Sequence, residues 1–570
     1  LGLPTRSVHG LPIIEHAEFG RNVPDEAMPD EDKMNLGKIY HMGKEEAAGL
    51  LLNRQAMASH TFITGSTGTG KSNAVYHLLD EITKNGQTTF LVVEPAKGEY
   101  KNVFGNCTDA QVFGTNPRET PLLRMNPFAF PENIHILEHI DRLVEIFNAC
   151  WPMYAAMPAV LKDAIERSYQ KVGWDLRNSE SEKGIFPTFF DLLDILPGVI
   201  EESHYSKDTQ SDYVGALCTR VKSLTNGIYG SVLCAEDALS DAEMFDQNVI
   251  VDLSRVGSME TKSLLMGILV MKLQEYRMCS SGMNSRLRHV TVLEEAHNLL
   301  RKTSAEQSQE GANLQGKSVE MLANAIAEMR TYGEGFIIAD QAPGLLDMSV
   351  IRNTNTKIIL RLPDEEDRKL VGKSAALKEA QIDELSKLPL GVAAVYQNEW
   401  PEAVLCKIEA YPMPENAVYH KPSKMPHEIN AEFVFGQLAV GKELKPLSSS
   451  EMEQLKLWLK RHEMMLKPED CRYLEQVFAG GELDVAKTRK AVFDFFGGIS
   501  TVVDYCAAAK KSLTPRKEFL EQLQGQYGLK AAAADWVLNS VISMGMSLNP
   551  DAKAVDNLRT NFEQQGGRVL

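Results

Sequence analysis

The sequence predicts an α/β fold in which a parallel β-sheet is covered by helices on both faces. Short runs rich in β-branched residues alternate with amphipathic helical stretches, and this alternation is typical of such sheets. A glycine-rich loop, "GSTGTGKS" at residues 65–72, lies between the first of these runs and a helical stretch. The predicted strands are Phe62–Thr64, Thr88–Glu94, Val249–Leu253, His289–Glu294, Gly335–Asp340 and Lys357–Leu362.

Several domains are expected, because 570 residues exceed the usual size of one hydrophobic core. The α/β core is placed at residues 36–411, and apolar residues spaced by three or four positions predict a helical insert at about 125–245. A proline-rich stretch at 412–429 is predicted to be a linker. Residues 430–570 are predicted to form an all-helical domain, since their helical patterns open with Ser or Thr caps. The stretch 393–409 is predicted to be a hairpin that closes the edge of the sheet.

The composition is that of a globular protein, with 44% hydrophobic and 24% charged residues. No run of 18 apolar residues occurs, so neither a membrane-spanning helix nor a membrane partner is expected. No two of the eight cysteines form a Cys-x-x-Cys pair, and we interpret them as reduced thiols of a cytoplasmic protein. The net charge of −17 argues against an extended basic surface that coats DNA.

The loop at 65–72 matches the phosphate-binding motif G-x-x-x-x-G-K-[ST]. Its backbone N–H groups are expected to face the β-phosphate at a helix N-terminus, while Lys71 reaches the β- and γ-phosphates and Ser72 offers its hydroxyl to Mg²⁺. A simple glycine turn is the alternative. The residues expected to bind the nucleotide are Gly65, Thr67, Gly68, Thr69, Gly70, Lys71, Ser72 and Asn73.

Adjacent carboxylates end the predicted strand in "HVTVLEEAHNLL". Hydrolysis needs an acid for the metal and a group that activates water, so Glu294 is expected to hold Mg²⁺ through water and Glu295 to polarise the attacking water. A solvated helix cap would contain the same pair. In "VVEPAKGEY", Glu94 and Glu99 either help to position Mg²⁺ or water, or belong to a plain polar loop.

Two further residues are candidates for reading the nucleotide state. Gln341 follows the strand-like "GFIIAD" and is expected to report the γ-phosphate, unless it only caps the next turn. Arg330 lies where Gly333 is predicted to end a helix, and it would serve as an arginine finger toward a neighbouring subunit. A surface arginine that favours the helix C-terminus is the alternative. Arg352 and Arg361 are the reserve candidates.

The polar segment 301–318 shows no periodicity and is expected to be either a substrate-facing loop or simply flexible. His60, His77 and His297 are expected to be structural, because nothing nearby offers a nucleophile.

The order of these motifs resembles the HerA-like ATPases of the HerA/FtsK group. The resemblance rests on "HTFITGSTGTGKS", "VVEPAKGEY", "VLEEAH", "MRTYGEGFIIADQAP" and "NTNTKIILRL", and it spans about residues 36–410. It implies a RecA-like core that hydrolyses ATP with Mg²⁺, a homo-hexameric ring and translocation of double-stranded DNA, often together with a nuclease. Some bacterial relatives serve in anti-phage defence with an effector such as a sirtuin-like NADase. Relatives carry an N-terminal β-barrel, so residues 1–35 are expected to be the tail of a missing barrel.

The leading hypothesis is a hexameric ATPase that moves double-stranded DNA or organises an effector in phage defence. The alternatives are the assembly ATPase of a secretion machine with a protein substrate, and an ATP-responsive platform with little translocation. Because the charge of −17 repels phosphate, DNA is expected to bind weakly, through local basic residues. The candidates are Lys97, Lys101, Arg301 and Lys302. The chain carries no nuclease or NAD-binding signature, which favours a separate effector partner.

Overall fold

A computed structural model describes most of the chain. The described residues are 16–23, 28–107, 109–154, 156–181, 184–235, 238–303, 311–413, 417–421, 429–441, 444–462, 464–549 and 551–569. They form two compact units. The sheet unit takes its residues from 1–114, 145–155 and 240–420, and the helical unit from 115–144, 156–239 and 421–570. The helical unit therefore includes residues of both the predicted insert and the predicted C-terminal domain.

The strands are β1 (Lys33–His41), β2 (Lys44–Asn53), β3 (Thr61–Thr64), β4 (Thr89–Glu94), β5 (Ala110–Gly114), β6 (Trp174–Asp175), β7 (Glu180–Ser181), β8 (Asn248–Asp252), β9 (His289–Glu294), β10 (Glu334–Asp340), β11 (Thr356–Ile359), β12 (Val392–Gln397) and β13 (Val404–Ile408).

The sheet unit is built on eleven of these strands, in the order β2-β1-β13-β12-β11-β3-β10-β9-β4-β8-β5. From β11 to β5 all neighbouring strands are parallel. From β11 to β2 all neighbours are antiparallel. Every residue of β3, β9 and β10 is buried, as expected for central parallel strands with helices on both faces. These three strands carry the candidate site at their carboxyl ends.

The six predicted strands are confirmed as β3, β4, β8, β9, β10 and β11, with ends shifted by at most three residues. The hairpin predicted at 393–409 is present as β12 and β13, but the prediction that it closes the sheet was wrong. Strand β13 pairs with β1, and β2 lies outside β1. The sequence did not signal this extension, because β2 is rich in Lys, Glu, Ala and Gly, which are poor strand formers.

The helices are α1 (Lys71–Thr83), α2 (Tyr100–Phe104), α3 (Ile136–Cys150), α4 (Met157–Lys171), α5 (Phe189–Glu202), α6 (Lys207–Tyr213), α7 (Thr219–Thr225), α8 (Gly227–Leu233), α9 (Asp241–Phe245), α10 (Met259–Ser280), α11 (Gly311–Glu328), α12 (Met348–Arg352), α13 (Glu365–Ser374), α14 (Glu379–Glu384), α15 (Ala431–Val440), α16 (Ser449–Arg461), α17 (Pro468–Phe478), α18 (Val485–Phe495), α19 (Gly498–Lys511), α20 (Pro515–Tyr527), α21 (Ala531–Leu548) and α22 (Ala552–Gln564).

Helix α11 overturns part of the interpretation of 301–318 as an irregular segment. The helix begins at Gly311, and its buried residues include Val319, Leu322, Ala323 and Ile326. Their helical spacing becomes visible only beyond residue 318, where the polar segment was taken to end. Residues 304–310 lie outside the described residues.

The longest apolar run, Leu264–Leu273, belongs to α10, where all of its residues are buried within the protein. Lys272 in this run is paired with Asp241 at 3.3 Å. Among the described residues, no single helix has both the length and the apolar character to cross a membrane. Helices α18 and α19, which meet at a bend of 69°, pass that test only as a pair.

Candidate active site

The glycine loop between β3 and α1 depends on residues without side chains. Gly68 and Gly70 have φ of +76° and +108°, in the left-handed region that favours glycine. A Cβ atom on Gly65 would lie 2.7 Å from Cβ of Leu360, closer than packed atoms approach. The loop ends where Lys71 begins α1, so its backbone lies at a helix N-terminus, the position suited to a phosphate group.

Backbone hydrogen bonds hold this loop from two sides. Ser66 N donates to Arg361 O at 3.0 Å, and Gly391 N donates to Thr69 O at 3.0 Å. Within the loop, Thr69 Oγ1 donates to Ser66 O at 2.7 Å. The loop conformation is therefore set by segments that lie about 300 residues further along the chain.

The paired glutamates both lie next to the lysine of the loop. Lys71 Nζ is 3.6 Å from Glu294 Oε2 and 3.4 Å from Glu295 Oε1. Successive side chains of a strand point to opposite faces, so an extended backbone would separate these carboxylates. Glu295 instead has φ 46° and ψ 51°, a left-handed conformation that is strained for a residue with a side chain. This conformation ends the alternation of β9 and lets both carboxylates approach Lys71.

Burial raises the pKa of the Glu294 carboxyl, and the Lys71 ammonium partly offsets this effect. Glu294, Lys71 and Ser72 line one small cleft together with Glu295. The cleft thus combines a hydroxyl and carboxylate oxygens, the ligand chemistry that Mg²⁺ prefers. These donors fit the magnesium site expected from the sequence.

Gln341 bridges the glycine loop and Glu295. Strand β10 lies between β3 and β9, so the residue that follows β10 can reach the ends of both neighbours. The Gln341 amide oxygen accepts from Thr67 Oγ1 at 2.7 Å, and its Nε2 donates to Glu295 Oε1. A side chain in contact with both the phosphate-binding loop and a carboxylate can couple the two.

His297 and Asp340 extend this network, although the sequence did not single out Asp340. His297 Nδ1 lies 2.9 Å from Asp340 Oδ2 and 3.5 Å from Glu295 Oε2. The hydrogen bond to the fully buried Asp340 raises the pKa of His297. The side-chain nitrogen and oxygen atoms of Glu295, His297 and Asp340 lie within 4.8 Å of one another, so the imidazole lies beside the Glu295 carboxylate. The position of Asp340 at the end of a strand next to Gln341 was the available signal.

The other loop residues are placed as follows. Ser72 is half-buried. The Asn73 side chain is engaged by the protein itself, because its Nδ2 donates to Glu409 O at 3.0 Å and its Oδ1 accepts from Tyr411 N at 2.9 Å. A role for Asn73 in binding nucleotide would therefore fall to its backbone.

Arg330 lies in a 3-10 turn, Met329–Tyr332, that continues α11. Gly333 ends the turn in a left-handed conformation with φ 75°, as the sequence predicted. Arg330, Arg352 and Arg361 are all exposed, so the choice of an arginine finger among them stays a prediction.

The "VVEPAKGEY" stretch forms a compact turn after β4. Both Glu94 oxygens accept backbone hydrogen bonds, from Glu99 N at 2.8 Å and Tyr100 N at 3.1 Å. Burial, together with the nearby Asp252 and Glu294 carboxylates, raises the pKa of Glu94 to about 7 against the effect of these hydrogen bonds. Glu94 thus caps the turn and also lines the small cleft that contains Glu294, and Glu99 is exposed.

Lys101 does not suit the role of a DNA contact that the sequence suggested. Its Nζ pairs with Asp252 Oδ2 at 2.6 Å, and only 12% of its side chain is exposed. Lys97, which is exposed, is still available for that role.

Comparison with known proteins places this site in a family. A family model described as "Helicase HerA, central domain" matches residues 34–334, more than half of the chain. A probable helicase of Methanocaldococcus jannaschii is 23% identical over 436 residues, which cover 70% of this chain and 76% of the relative. The DNA double-strand break repair helicase HerA of Sulfolobus acidocaldarius is 25% identical over 392 residues, which cover 66% of this chain and 69% of the relative.

Among solved structures, VirB4 of Thermoanaerobacter pseudethanolicus is similar, with a TM-score of 0.51 and 17% identity. The similarity covers 68% of this chain and 98% of that one, and it shows a shared fold. The phosphate-binding loop, the glutamate pair beside its lysine and the match to the family model agree with one another. The chain therefore belongs to the HerA helicase family and is a HerA-like ATPase.

Proposed function

We propose that this protein hydrolyses ATP with Mg²⁺ as a subunit of a homo-hexameric ring that acts on double-stranded DNA in the cytoplasm. One observation carries the proposal: both glutamates at the end of β9 lie within 4 Å of Lys71 at the start of α1, and Gln341, which follows β10, contacts Glu295 and the glycine loop. Phosphoryl transfer requires positioning and charge stabilisation, and this arrangement supplies both.

Each side chain has a separate task in this proposal. Lys71 neutralises the β- and γ-phosphates, and Glu295 accepts a hydrogen bond from the attacking water. Gln341, which contacts both Thr67 and Glu295, links the γ-phosphate to the rest of the subunit. Ser72 and Glu294 would hold the Mg²⁺ ion, which supplies charge neutralisation at the phosphates.

The assignment is tested with Lys71→Ala and Glu295→Gln. Lys71→Ala should lose nucleotide binding, because the phosphates lose their counter-charge. Glu295→Gln should still bind ATP without turning it over. Titration with a fluorescent ATP analogue and release of phosphate measure the two properties. Turnover near the wild-type rate in Glu295→Gln would exclude Glu295 as the water-polarising residue.

The hexamer places Arg330 of one subunit at the γ-phosphate of its neighbour. This is supported by the exposure of Arg330 at the end of a helix, where it is accessible to a second subunit. Mixing Arg330→Ala subunits with Lys71→Ala subunits should restore hydrolysis at mixed interfaces, since each partner supplies what the other lacks. If no mixture is active while Arg330→Ala still assembles, the finger is a different residue, and Arg352→Ala and Arg361→Ala should be tested in the same way.

DNA as the substrate is supported by the relatives named as DNA double-strand break repair helicases. The net charge of −17 confines favourable contacts with phosphate to local basic residues. We therefore also propose an effector partner, a nuclease or a sirtuin-like NADase, that carries out the defensive reaction against phage. ATPase rates with linear duplex at about 50 to 200 mM salt, together with purification of complexes from the native host, test both parts.

Strong stimulation at the higher salt with no co-purified protein would favour a self-sufficient translocase. No stimulation by duplex at any salt would favour either a platform or an assembly ATPase that acts on a protein.

A further inference from the structure

The hydroxyl of Tyr100 forms a hydrogen bond with the glutamate expected to serve magnesium. Tyr100 OH donates to Glu294 Oε1 at 2.6 Å, and Tyr100 is only 2% exposed. Glu294 Oε2 is the oxygen that lies near Lys71, at 3.6 Å. One oxygen of the carboxylate is therefore fixed by the protein, and the other faces the cleft.

Three features of the turn hold Tyr100 in place. Glu94 accepts from the backbone N–H groups of Glu99 and Tyr100, at the start of α2. The Tyr100 ring packs edge-to-face on Tyr76, with ring centroids 4.9 Å apart. Strands β4 and β9 pair in parallel with Val93 opposite Leu293, so the turn that follows β4 begins next to Glu294. The hydroxyl is thus positioned by groups on both sides of the site.

The turn is also tied to the next strand of the sheet. Gly98 has φ +69°, and a Cβ atom there would lie 3.0 Å from Ser254 Oγ. Lys101 Nζ pairs with Asp252 Oδ2 at 2.6 Å. The "GEYK" part of the motif therefore packs closely against the end of β8, which leaves Tyr100 little freedom to move away from Glu294.

We propose that Tyr100 is a positioning residue, which fixes Glu294 Oε1 so that Oε2 stays directed at the site where magnesium would bind with ATP. This inference rests on the proposed function, because it deepens the role assigned there to Glu294. A hydrogen bond to one oxygen restricts rotation of the carboxylate, and a hydrogen bond to an ionised acceptor is about twice as strong as a neutral one. Mutation of a side chain that holds a metal-binding residue in place typically lowers metal affinity or activity by about 10- to 100-fold.

The variant Tyr100→Phe removes the hydroxyl and keeps the ring that packs on Tyr76. Binding of Mn²⁺ to the protein with a non-hydrolysable ATP analogue, followed by electron paramagnetic resonance, should weaken by about tenfold or more. Binding of the same analogue without metal should not change. The Mg²⁺ concentration for half-maximal ATPase rate should rise by a similar factor.

Tyr169→Phe is the matched control, because Tyr169 is also fully buried and its hydroxyl donates to a backbone carbonyl, that of Phe128 in the helical unit. It should leave Mn²⁺ binding unchanged. In a Glu294→Gln background, Tyr100→Phe should cause little further loss of Mn²⁺ affinity, since the two side chains act through one contact.

Unchanged Mn²⁺ affinity in Tyr100→Phe, or full additivity with Glu294→Gln, would overturn the inference and leave the proposed function intact. If Tyr100→Phe unfolds the protein, the double variant Tyr100→Phe with Glu294→Met is the next test, because it removes the carboxylate that has lost its hydrogen bond. Rescue of folding would support the contact between Tyr100 and Glu294, and failure to rescue folding would overturn the inference. Normal ATPase activity in both Lys71→Ala and Glu295→Gln would overturn the proposed function and this inference together.

Discussion

Glu334 lies at the start of β10 and forms a buried polar network that ties β10 to β9 and α10. His289 Nδ1 lies 2.7 Å from Glu334 Oε1, and Thr291 Oγ1 donates to the same oxygen at 2.8 Å. Arg277 Nε donates to Oε2 at 2.9 Å, and neither Arg277 nor Glu334 has any exposed side-chain surface. Replacing Glu334 with Gln removes the charge at nearly constant volume.

The size of the effect follows from the pKa of Glu334. Burial alone would raise it, but His289 and Arg277 outweigh burial and hold the pKa at about 2 instead of the ordinary 4.5. This difference corresponds to about 3 kcal/mol in favour of the ionised carboxylate. Burial lowers the pKa of His289, whose Nδ1 lies within hydrogen-bond distance of Glu334 Oε1. Removing one partner of a buried ion pair typically costs about 3–5 kcal/mol. We expect Glu334→Gln to destabilise the sheet unit by about 3 kcal/mol.

The pH dependence has a definite sign. The folded pKa lies below the unfolded value, so the stabilisation by the carboxylate is complete above about pH 4.5 and is lost as the pH falls toward 2. The difference in the free energy of unfolding between wild type and Glu334→Gln should be constant from pH 7 to about pH 5, and it should shrink at lower pH.

Urea titrations read by pulsed hydrogen exchange of peptides from β9 and β10 measure the sheet unit separately from the helical unit. Thr291→Val is the matched control, because it removes one neutral donor to the same carboxylate and should cost only about 1 kcal/mol. The reasoning fails if Glu334→Gln costs no more than Thr291→Val. It also fails if the difference from wild type grows as the pH falls below 5.

Two further substitutions test other parts of the sheet unit. The Nζ atom of Lys357 donates to Thr354 O at 2.6 Å, and burial lowers the pKa of this lysine to about 8. Lys357→Met should therefore raise the melting temperature at pH 7. The pKa of Lys357 is lower in the folded protein than the 10.5 of the unfolded chain, so the buried lysine destabilises the fold fully below pH 8 and no longer does so by pH 10.5. An equal rise in melting temperature at pH 7 and pH 10.5 would contradict this. Gly65→Ala should weaken binding of a fluorescent ATP analogue by about tenfold or more, because its Cβ would lie 2.7 Å from Leu360 Cβ. Gly282→Ala, with no atom within 4 Å of the added Cβ, should bind as wild type does, and equal affinities of the two variants would refute the steric argument.

Much of the fold was accessible from local patterns. The strands at 61–64, 289–294 and 334–340 are short apolar runs bounded by polar residues, and each is buried along its whole length. Strands β1 and β2 escaped prediction because polar and small residues dominate β2, and its place in the sheet depends on pairing with β1. Pairing between distant segments overrides weak local propensity.

The sequence by itself predicted a phosphate-binding loop, a glutamate pair and a following glutamine as parts of one nucleotide site, because each motif is local and needs only a strand before it. Only the tertiary structure decided how these groups meet. The left-handed backbone of Glu295 brings both carboxylates to Lys71, and the place of β10 between β3 and β9 lets Gln341 bridge the loop and Glu295. The contact of Tyr100 with Glu294 joins residues 194 positions apart. Such contacts depend on the order of the strands and on the positions of individual carboxylate oxygens. Both arise from packing between distant segments and leave no periodic pattern in the sequence.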